Sequence, residues 1–549
     1  MKKLQLTFLA LCISAMSFAQ VGIGTNTPTA GSILELKAAD KALLLTRVAN
    51  TAAVTTPVNG MMVYDISSNC IKGYQNGAWT DCLSACGSSS STGGGGGDFG
   101  FDFTSTFIMI VASTAVTAGI NPDGKVFIWG RNYNYKFFPD NLNTEVTDQL
   151  MTPAYAPLPG TETAQKVVVG DQSVMVLTNS GKVYVMGVNE TYNQQYGPAL
   201  NGKIQQWVRL TATTDSTFVD IDASSTSNDS YMVGTSGKFY HAGAGTRQNY
   251  FYDAHITGYV VMNKPAGVPT NFMYTKVWGD TKGGGFKVYV KGSDNKIYAW
   301  GTEHSFPIST MGMGNSATAY GMAANMTPGL VQFPTPYPNI VKISHDFYHA
   351  LALTDDGKAY GWGEWSYPSG YGKQYAFAAT PLAANLVVDA SNIEVITRPT
   401  LLNKPNDGSA GFTDVLVIEN GSIVRTNTGA YFKGIDKYGI MAEPITGVYT
   451  NAEHVLNQGY IESIDRLDKT NYNHFAPTLS KFKTIFSAYW GKLFAINDTY
   501  KGYFIGGNYF GTGGLGIGTG GGFISTEYYS RPTPIATGIG DDTNPNPLY

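Results

Sequence analysis

The chain has 549 residues and a formal charge of −4, from 36 Lys and Arg against 40 Asp and Glu. With 43% hydrophobic and 14% charged residues it can bury a large core, which excludes a disordered tail, and its near-neutral charge excludes a general nucleic-acid binder. The 65 Gly and 35 Tyr point to many short strands joined by tight turns.

The first residues read as an export signal. Lys2 and Lys3 precede an apolar run over residues 4–16 that is too short to span a bilayer. Ser17 and Ala19 then supply the small residues of a signal-peptidase site, so cleavage is expected between Ala19 and Gln20. The alternative is a lipoprotein acylated on Cys12, but Leu11 stands where a small residue is expected. No later apolar run approaches the roughly 20 residues of a transmembrane helix. The mature chain is expected outside the cell or on its outer surface, with the periplasm also open.

Export bears on the cysteines. Asn76-Gly77, between Cys70 and Cys82, is a hairpin signal that allows the two to face each other across a strand pair. An oxidising compartment favours a Cys70–Cys82 disulfide, with Cys86 open as a rival partner for either.

Ser and Gly dominate residues 88–97, so residues 88–100 are read as a linker. It separates a small β-rich domain over 20–87 from a large region over 101–540, which ends in a polar tail at 541–549. The small domain runs through Val21-Gly22-Ile23-Gly24-Thr25-Asn26, Leu43-Leu44-Leu45-Thr46-Arg47 and Asn59-Gly60-Met61-Met62-Val63-Tyr64-Asp65. It resembles the N-terminal segment of many secreted surface proteins of Gram-negative bacteria and is similar to tail-fibre heads. The resemblance implies an assembly segment, with self-association compensating for a small core.

The large region repeats. Asp123-Gly124-Lys125-Val126-Phe127-Ile128-Trp129-Gly130 sets the pattern, and related segments close on Gly187, Gly243, Gly301, Gly363, Gly434 and Gly506. An aromatic stands three residues before each of the seven glycines, and Lys stands five before all but the sixth. Each unit reads as a strand, a two-residue turn and a second strand. Pro153, Pro328, Pro399 and Pro534 recur beyond the glycines and suit outer edge strands. Seven such units predict an all-β fold, a seven-bladed β-propeller behind the small β-rich domain. Ring closure is expected to place residues 534–539 in the same blade as residues 107–130.

Residues 341–363 of the fifth unit, with 506–516 and 531–535 of the seventh, resemble repeats of the regulator of chromosome condensation family. The resemblance implies a seven-bladed propeller that binds partners through its faces.

Site candidates are few. Gly511-Thr512-Gly513-Gly514-Leu515-Gly516 fits a dinucleotide fingerprint, but the Gly-rich sequence that follows makes a poor helix. His345 and His349 lack the intervening Glu of a zinc-protease helix. Asp220 and Asp222 share a strand face without a calcium-loop pattern. No cofactor, metal or catalytic set is expected. The ligand candidates are Trp365, Tyr367, Tyr371 and Tyr375, in a long connection between the fifth and sixth units, where exposed aromatics would offer broad contact. The expected function is an exported, non-enzymatic scaffold for an unknown protein or glycan partner, without nucleic acid. The alternatives are a secreted carbohydrate-active hydrolase or lyase on a propeller, or a structural surface or fibre component.

Overall fold

The computed structural model describes residues 21–79 and 106–535, apart from gaps of one to four residues and the segments 26–33, 39–43, 132–148, 190–201, 244–255, 280–286, 301–309, 315–327, 437–460, 463–468 and 509–526. The chain divides into two compact units, residues 1–97 and 98–549.

In the first unit Val21–Ile23 pairs in parallel with Leu34–Leu36, and Arg47–Val48 in parallel with Met62–Asp65. Met62–Asp65 continues antiparallel to Cys70–Gln75, which pairs with Ala78–Trp79. Gln75 faces Ala78 and Gly77 has φ of 79°, the tight hairpin that Asn76-Gly77 predicts. Cys70 opens its strand opposite Asp65, whereas Cys82, Cys86, Ala19 and Gln20 lie outside the described residues. Val63 is the one buried apolar residue described in this unit, while Ile23, Leu44, Val58 and Ile66 are all more than half exposed.

The second unit is a run of antiparallel sheets. Sheet 2 shows the plan: Ala164–Val169, Ser173–Thr178, Val183–Asn189 and Gly202–Leu210 pair in chain order. Seven sheets of this kind follow one another among the described residues. Their first strands are Met109–Ala112, Ala164–Val169, Phe218–Ala223, Tyr274–Trp278, Ile340–His345, Phe412–Ile418 and Thr484–Ala488. In sheet 5 the third strand, Ala359–Glu364, pairs with Glu394–Leu401, and Leu386–Val388 adds a rim strand. In sheet 6 the third strand, Ala430–Asp436, pairs with two short strands, Ile461–Glu462 and His474–Phe475.

Second strands are buried on both faces: all six residues of Ser173–Thr178 and all six of His349–Thr354 are buried. This explains their continuous apolar runs, since each sheet is covered by a neighbour on both sides. Val167 packs with Val116 and Ile128 of sheet 1, and its neighbour Val168 with Phe218 and Ile221 of sheet 3.

The turns that join second to third strands differ from the expected two-residue type. Gly124 N–H donates to Asn121 O, Asn121 N–H donates to Lys125 O, and Gly124 has φ of 75°. This is a type I turn followed by a left-handed residue, which inserts one residue more. The same turn recurs at Gly181, Gly237, Asn295, Gly357 and Tyr500, with φ between 64° and 78°. Sheet 6 has a shorter turn, in which Thr426 N–H donates to Gly429 O.

The left-handed residue also latches the next sheet. Ala164 N–H donates to Gly124 O (2.8 Å), Phe218 N–H to Gly181 O (2.7 Å), Tyr274 N–H to Gly237 O (2.9 Å) and Phe412 N–H to Gly357 O (2.8 Å). Phe107 N–H makes the same bond to Tyr500 O (2.6 Å), so sheet 7 is joined to sheet 1 as sheets 1, 2, 3 and 5 are to their successors.

Closure does not use a shared strand. The last strand, Glu527–Pro534, pairs within sheet 7, and sheet 1 is built from its own four strands. The reason lies in the residue after the fourth strand, which has one role in six of the seven sheets. Ala156, Met262, Val331, Leu402 and Ala476 are buried and donate their N–H to the first residue of their own sheet's third strand. Ile535 does so to Gly502 (3.0 Å), so Pro534-Ile535 ends a sheet rather than beginning the next. Ile535 then packs with Phe107, Ile110, Trp129, Phe494 and Phe504 across the junction. Residues 536–539 lie outside the described residues.

Phe107→Ala should therefore destabilise the whole ring, by about 3–5 kcal/mol in chemical denaturation, and not merely fray one end. At the same junction the buried Trp129 indole N–H has no hydrogen-bond partner among the described residues, whereas Trp362, likewise just before its closing glycine, donates to Tyr289 Oη (3.0 Å). Trp362→Phe should lower the melting temperature more than Trp129→Phe, the lost bond being worth about 1 kcal/mol.

Candidate functional site

The first strands contact one another around the ring, sheet 7 touching sheet 1, so they line its axis. Each first strand of sheets 2 to 6 carries a bulge one residue after its start. The residue after each bulge is charged: Lys166, Asp220, Lys276, Lys342 and Asp414.

These side chains staple neighbouring sheets. Lys166 Nζ lies 2.9 Å from Asp220 and 3.9 Å from Asp222. Lys342 pairs with Asp414, and Lys276 Nζ donates to Val341 O (3.1 Å) while lying over the Trp278 ring. Asp220 and Asp222 each accept a backbone N–H of the following sheet, from Val277 (2.9 Å) and Gly279 (3.0 Å). Burial lowers the affinity of Lys166 for its proton, but Asp222 and Asp220 outweigh this and raise its pKa. Burial pushes the Asp222 carboxyl up and the Lys276 ammonium down. The two aspartates are thus joint-forming groups. The sequence signal was present in the triplets Ala164-Gln165-Lys166, Phe218-Val219-Asp220, Tyr274-Thr275-Lys276, Ile340-Val341-Lys342 and Phe412-Thr413-Asp414, but single-sheet reasoning does not bring them together.

At the turn end of the ring, carboxylates clip the turns. Glu162 accepts from Ser180 Oγ and Lys182 Nζ, both at 2.6 Å. Asp215 accepts from Ser236 N–H (2.8 Å) and Tyr240 Oη (2.6 Å), and Asp407 from Ser409 Oγ (2.6 Å) and Thr426 Oγ1 (2.7 Å). The aromatic three before the closing glycine is buried in all seven sheets, and Tyr240 shows how its hydroxyl serves the clip.

At the opposite end, the connections from first to second and from third to fourth strands meet. His345 Nε2 reaches Trp278 O (3.3 Å) in sheet 4, and His349 Nε2 reaches Gly421 O (3.1 Å) in sheet 6. The two face different neighbours and do not converge on one ion. His241 Nε2 lies 2.9 Å from Asp229 Oδ1 and stacks on Tyr231. Among the described residues no group of three or more His, Cys, Asp or Glu could hold a metal.

The aromatic ligand candidates are redistributed. Their connection belongs to sheet 5 itself, between its third and fourth strands, where Ser366–Ser369 and Gly372–Tyr375 form a two-stranded ribbon. Trp365 is not an exposed loop aromatic: it is 2% exposed, donates to Phe377 O (2.8 Å) and packs on Tyr375, which is half-buried. Its large apolar ring is covered by the ribbon folding back on it. Tyr367 sits in the ribbon and its side chain is not described; Tyr371 and the segment 511–516 lie outside the described residues.

A circular run of four- and five-stranded antiparallel sheets, latched head to tail, defines a β-propeller. Comparison with solved structures agrees. The chain is similar to Prp20p from Saccharomyces cerevisiae, with 15% identity, 79% of this chain and 88% of that one covered, and a TM-score of 0.50. It is also similar to yeast RCC1 (Prp20) bound to Kap60 (14% identity, 78% and 74% covered, TM-score 0.44) and to human WBSCR16 (14%, 75% and 94%, 0.49). A family model described as a phage tail like trimerisation region matches residues 22–94. No curated protein matches the sequence. No helix described is long and apolar enough to cross a membrane.

The clips make stability depend on pH. Lys182 and Ser180 hold Glu162 down to about 2 from an ordinary 4.5. In Asp215 and Asp407, burial pushes upward, but hydrogen bonds from Ser236 and Ser409 with their neighbours outweigh it and lower both. Carboxylates with depressed pKa values stabilise the fold fully above their unfolded values and lose that contribution as pH falls. The melting temperature should fall between about pH 4.5 and pH 2, and Glu162→Gln should make that fall shallower.

Proposed function

We propose that this chain is an exported, non-enzymatic binding scaffold, in which the propeller makes contacts with a protein or glycan and the N-terminal unit assembles copies. The observation that carries this reading is the latched ring itself. Its recurring polar groups are engaged in joining sheets, which leaves faces and loops for recognition. Support by analogy comes from Prp20p, whose solved structure is described together with its binding properties to Gsp1p and histones.

Export rests on the basic start, the apolar run and the Ala19–Gln20 site. Assembly rests on the match of residues 22–94 to a trimerisation region and on the apolar residues that the first unit leaves exposed. A structural fibre role is the second reading, favoured by that same match.

The decisive test is a panel of glycans and peptides offered to the full mature chain. Retention of a partner without turnover is expected, and turnover abolished by mutating one face would overturn the reading. Light scattering should give three times the protomer mass, and Leu44→Asp should reduce the assembly. Mass spectrometry should find Gln20 at the N-terminus, and unreduced peptide maps should show Cys70 linked to Cys82.

A further inference from the structure

One strand position separates two junctions of the ring from the other five. In sheets 1 to 7, the second-strand residue that faces the first residue of the third strand is Ile120, Leu177, Val233, Lys291, Leu353, Arg425 and Ile496. The five aliphatic residues are buried and belong to sheets 1, 2, 3, 5 and 7, whose turns latch the next sheet through a backbone carbonyl. Sheets 4 and 6 have a cation there and, among the described residues, no such latch. Each cation donates instead to the start of the next sheet. Lys291 Nζ reaches Ile340 O (2.8 Å), while Arg425 Nη1 reaches Lys483 O (2.8 Å) and its Nη2 reaches Phe482 O.

Bonds to those carbonyls are enough to stand in for a latch. Lys291 has a second contact of different chemistry. Its Nζ also donates to Asn339 Oδ1 (2.7 Å), and Nδ2 of that carboxamide donates to Asp355 Oδ2 (2.6 Å). Asp355 is fixed in turn by its own N–H, which donates to Asn339 O (3.1 Å). Lys291 lies in the second strand of sheet 4, Asn339 just before the first strand of sheet 5 and Asp355 just after the second strand of sheet 5. In front of the first strands of sheets 2, 3, 4, 6 and 7 stand Thr163, Thr217, Met273, Gly411 and Lys483, so the carboxamide occurs at the junction where a lysine reaches it. Burial, with the nearby Lys276 ammonium, lowers the Lys291 pKa against the pull of Asp355, which favours the amine lone pair.

We propose that Lys291 and Asn339 react within the folded chain to form an isopeptide bond between sheets 4 and 5, with Asp355 carrying the proton. The Nζ lone pair of the neutral amine attacks Asn339 Cγ, and the Nζ–Cγ bond forms. Asp355 takes a proton from Nζ and gives one to Nδ2. The Cγ–Nδ2 bond breaks with its electron pair on nitrogen, and ammonia leaves. Counted from the lysine ammonium, the products are a secondary amide and an ammonium ion, with no oxidant and no second reactant.

The fold supplies what this exchange lacks in free solution, which is a fixed contact between nucleophile and amide and a proton carrier on the leaving nitrogen. Arg425 cannot follow the same course at the other junction, because its guanidinium stays protonated. The step occurs once, on the chain itself, so it goes beyond the scaffold reading and does not depend on it.

The test is a tryptic map of the full mature chain, incubated at neutral pH and unfolded before digestion. The linked product joins residues 288–296, with the cut after Lys291 blocked, to residues 297–342, and weighs one ammonia less than the two peptides together. The map decides rather than the intact mass, because an N-terminal Gln20 also loses ammonia when it cyclises. Lys291→Arg, which keeps the charge and the donors, should give no linked product. Asp355→Ala, which leaves both reacting groups in place, should form it at least about tenfold more slowly. Wild-type chain kept in denaturant should stay unlinked. Full recovery of the free peptides 288–291 and 292–296 from the incubated wild type would overturn the proposal, as would equal rates in the wild type and Asp355→Ala.

Discussion

The ring depends on one recurrent contact, made at five of its junctions, in which the carbonyl of a left-handed turn residue accepts an N–H at the start of the next sheet. A type I turn alone would direct that carbonyl differently, and the additional left-handed residue turns it outward to the neighbour. Glycine or asparagine fills the position in five of the six turns, as backbone sterics favour. Tyr500 is the exception, at φ of 64°. Its turn is the one that joins the end of the ring to its beginning, and Lys483 lies over its ring at 4.3 Å. A strained conformation persists where its surroundings over-determine it. Here the surroundings are the ring closure itself.

Much of this was legible in the sequence because it repeats. The seven aromatic–glycine segments mark the third strands, and the Asn76-Gly77 hairpin forms as its dipeptide dictates. Pro153, Pro399 and Pro534 do sit in fourth strands. What escaped was relational. The turn length depends on a hydrogen bond to the next sheet, which local turn chemistry does not display. Trp365 looked like an exposed loop residue because the ribbon that covers it comes from later residues, and the charged axial positions become a set only when five sheets stand side by side. The closing strand was misplaced because Thr533-Pro534-Ile535 is equally the end of one unit and the lead into another. Only the bond from Ile535 to Gly502 decides between them.

The two ends of the ring carry different constraints. At the turn end Glu162, Asp215 and Asp407 each have a fixed geometric task, so their identity is tied to position. At the other end the third and fourth strands of sheets 1 and 2 are separated by residues 132–148 and 190–201, and in sheet 6 the intervening sequence is longer. Changes in the length of those segments leave the latches untouched, because the latches are made elsewhere.

The self-contained character of each sheet has a further consequence. In a ring sealed by a strand borrowed from the opposite end of the chain, the position of the termini is part of the architecture. Here every sheet is made from consecutive sequence, and the junction between the last and the first is of the same kind as those after sheets 1, 2, 3 and 5. The place where the polypeptide begins is therefore a matter of history rather than of geometry. A gene rearranged to start at any inter-sheet connection would encode the same ring, and whole units could be duplicated or lost in evolution without redesigning the seal.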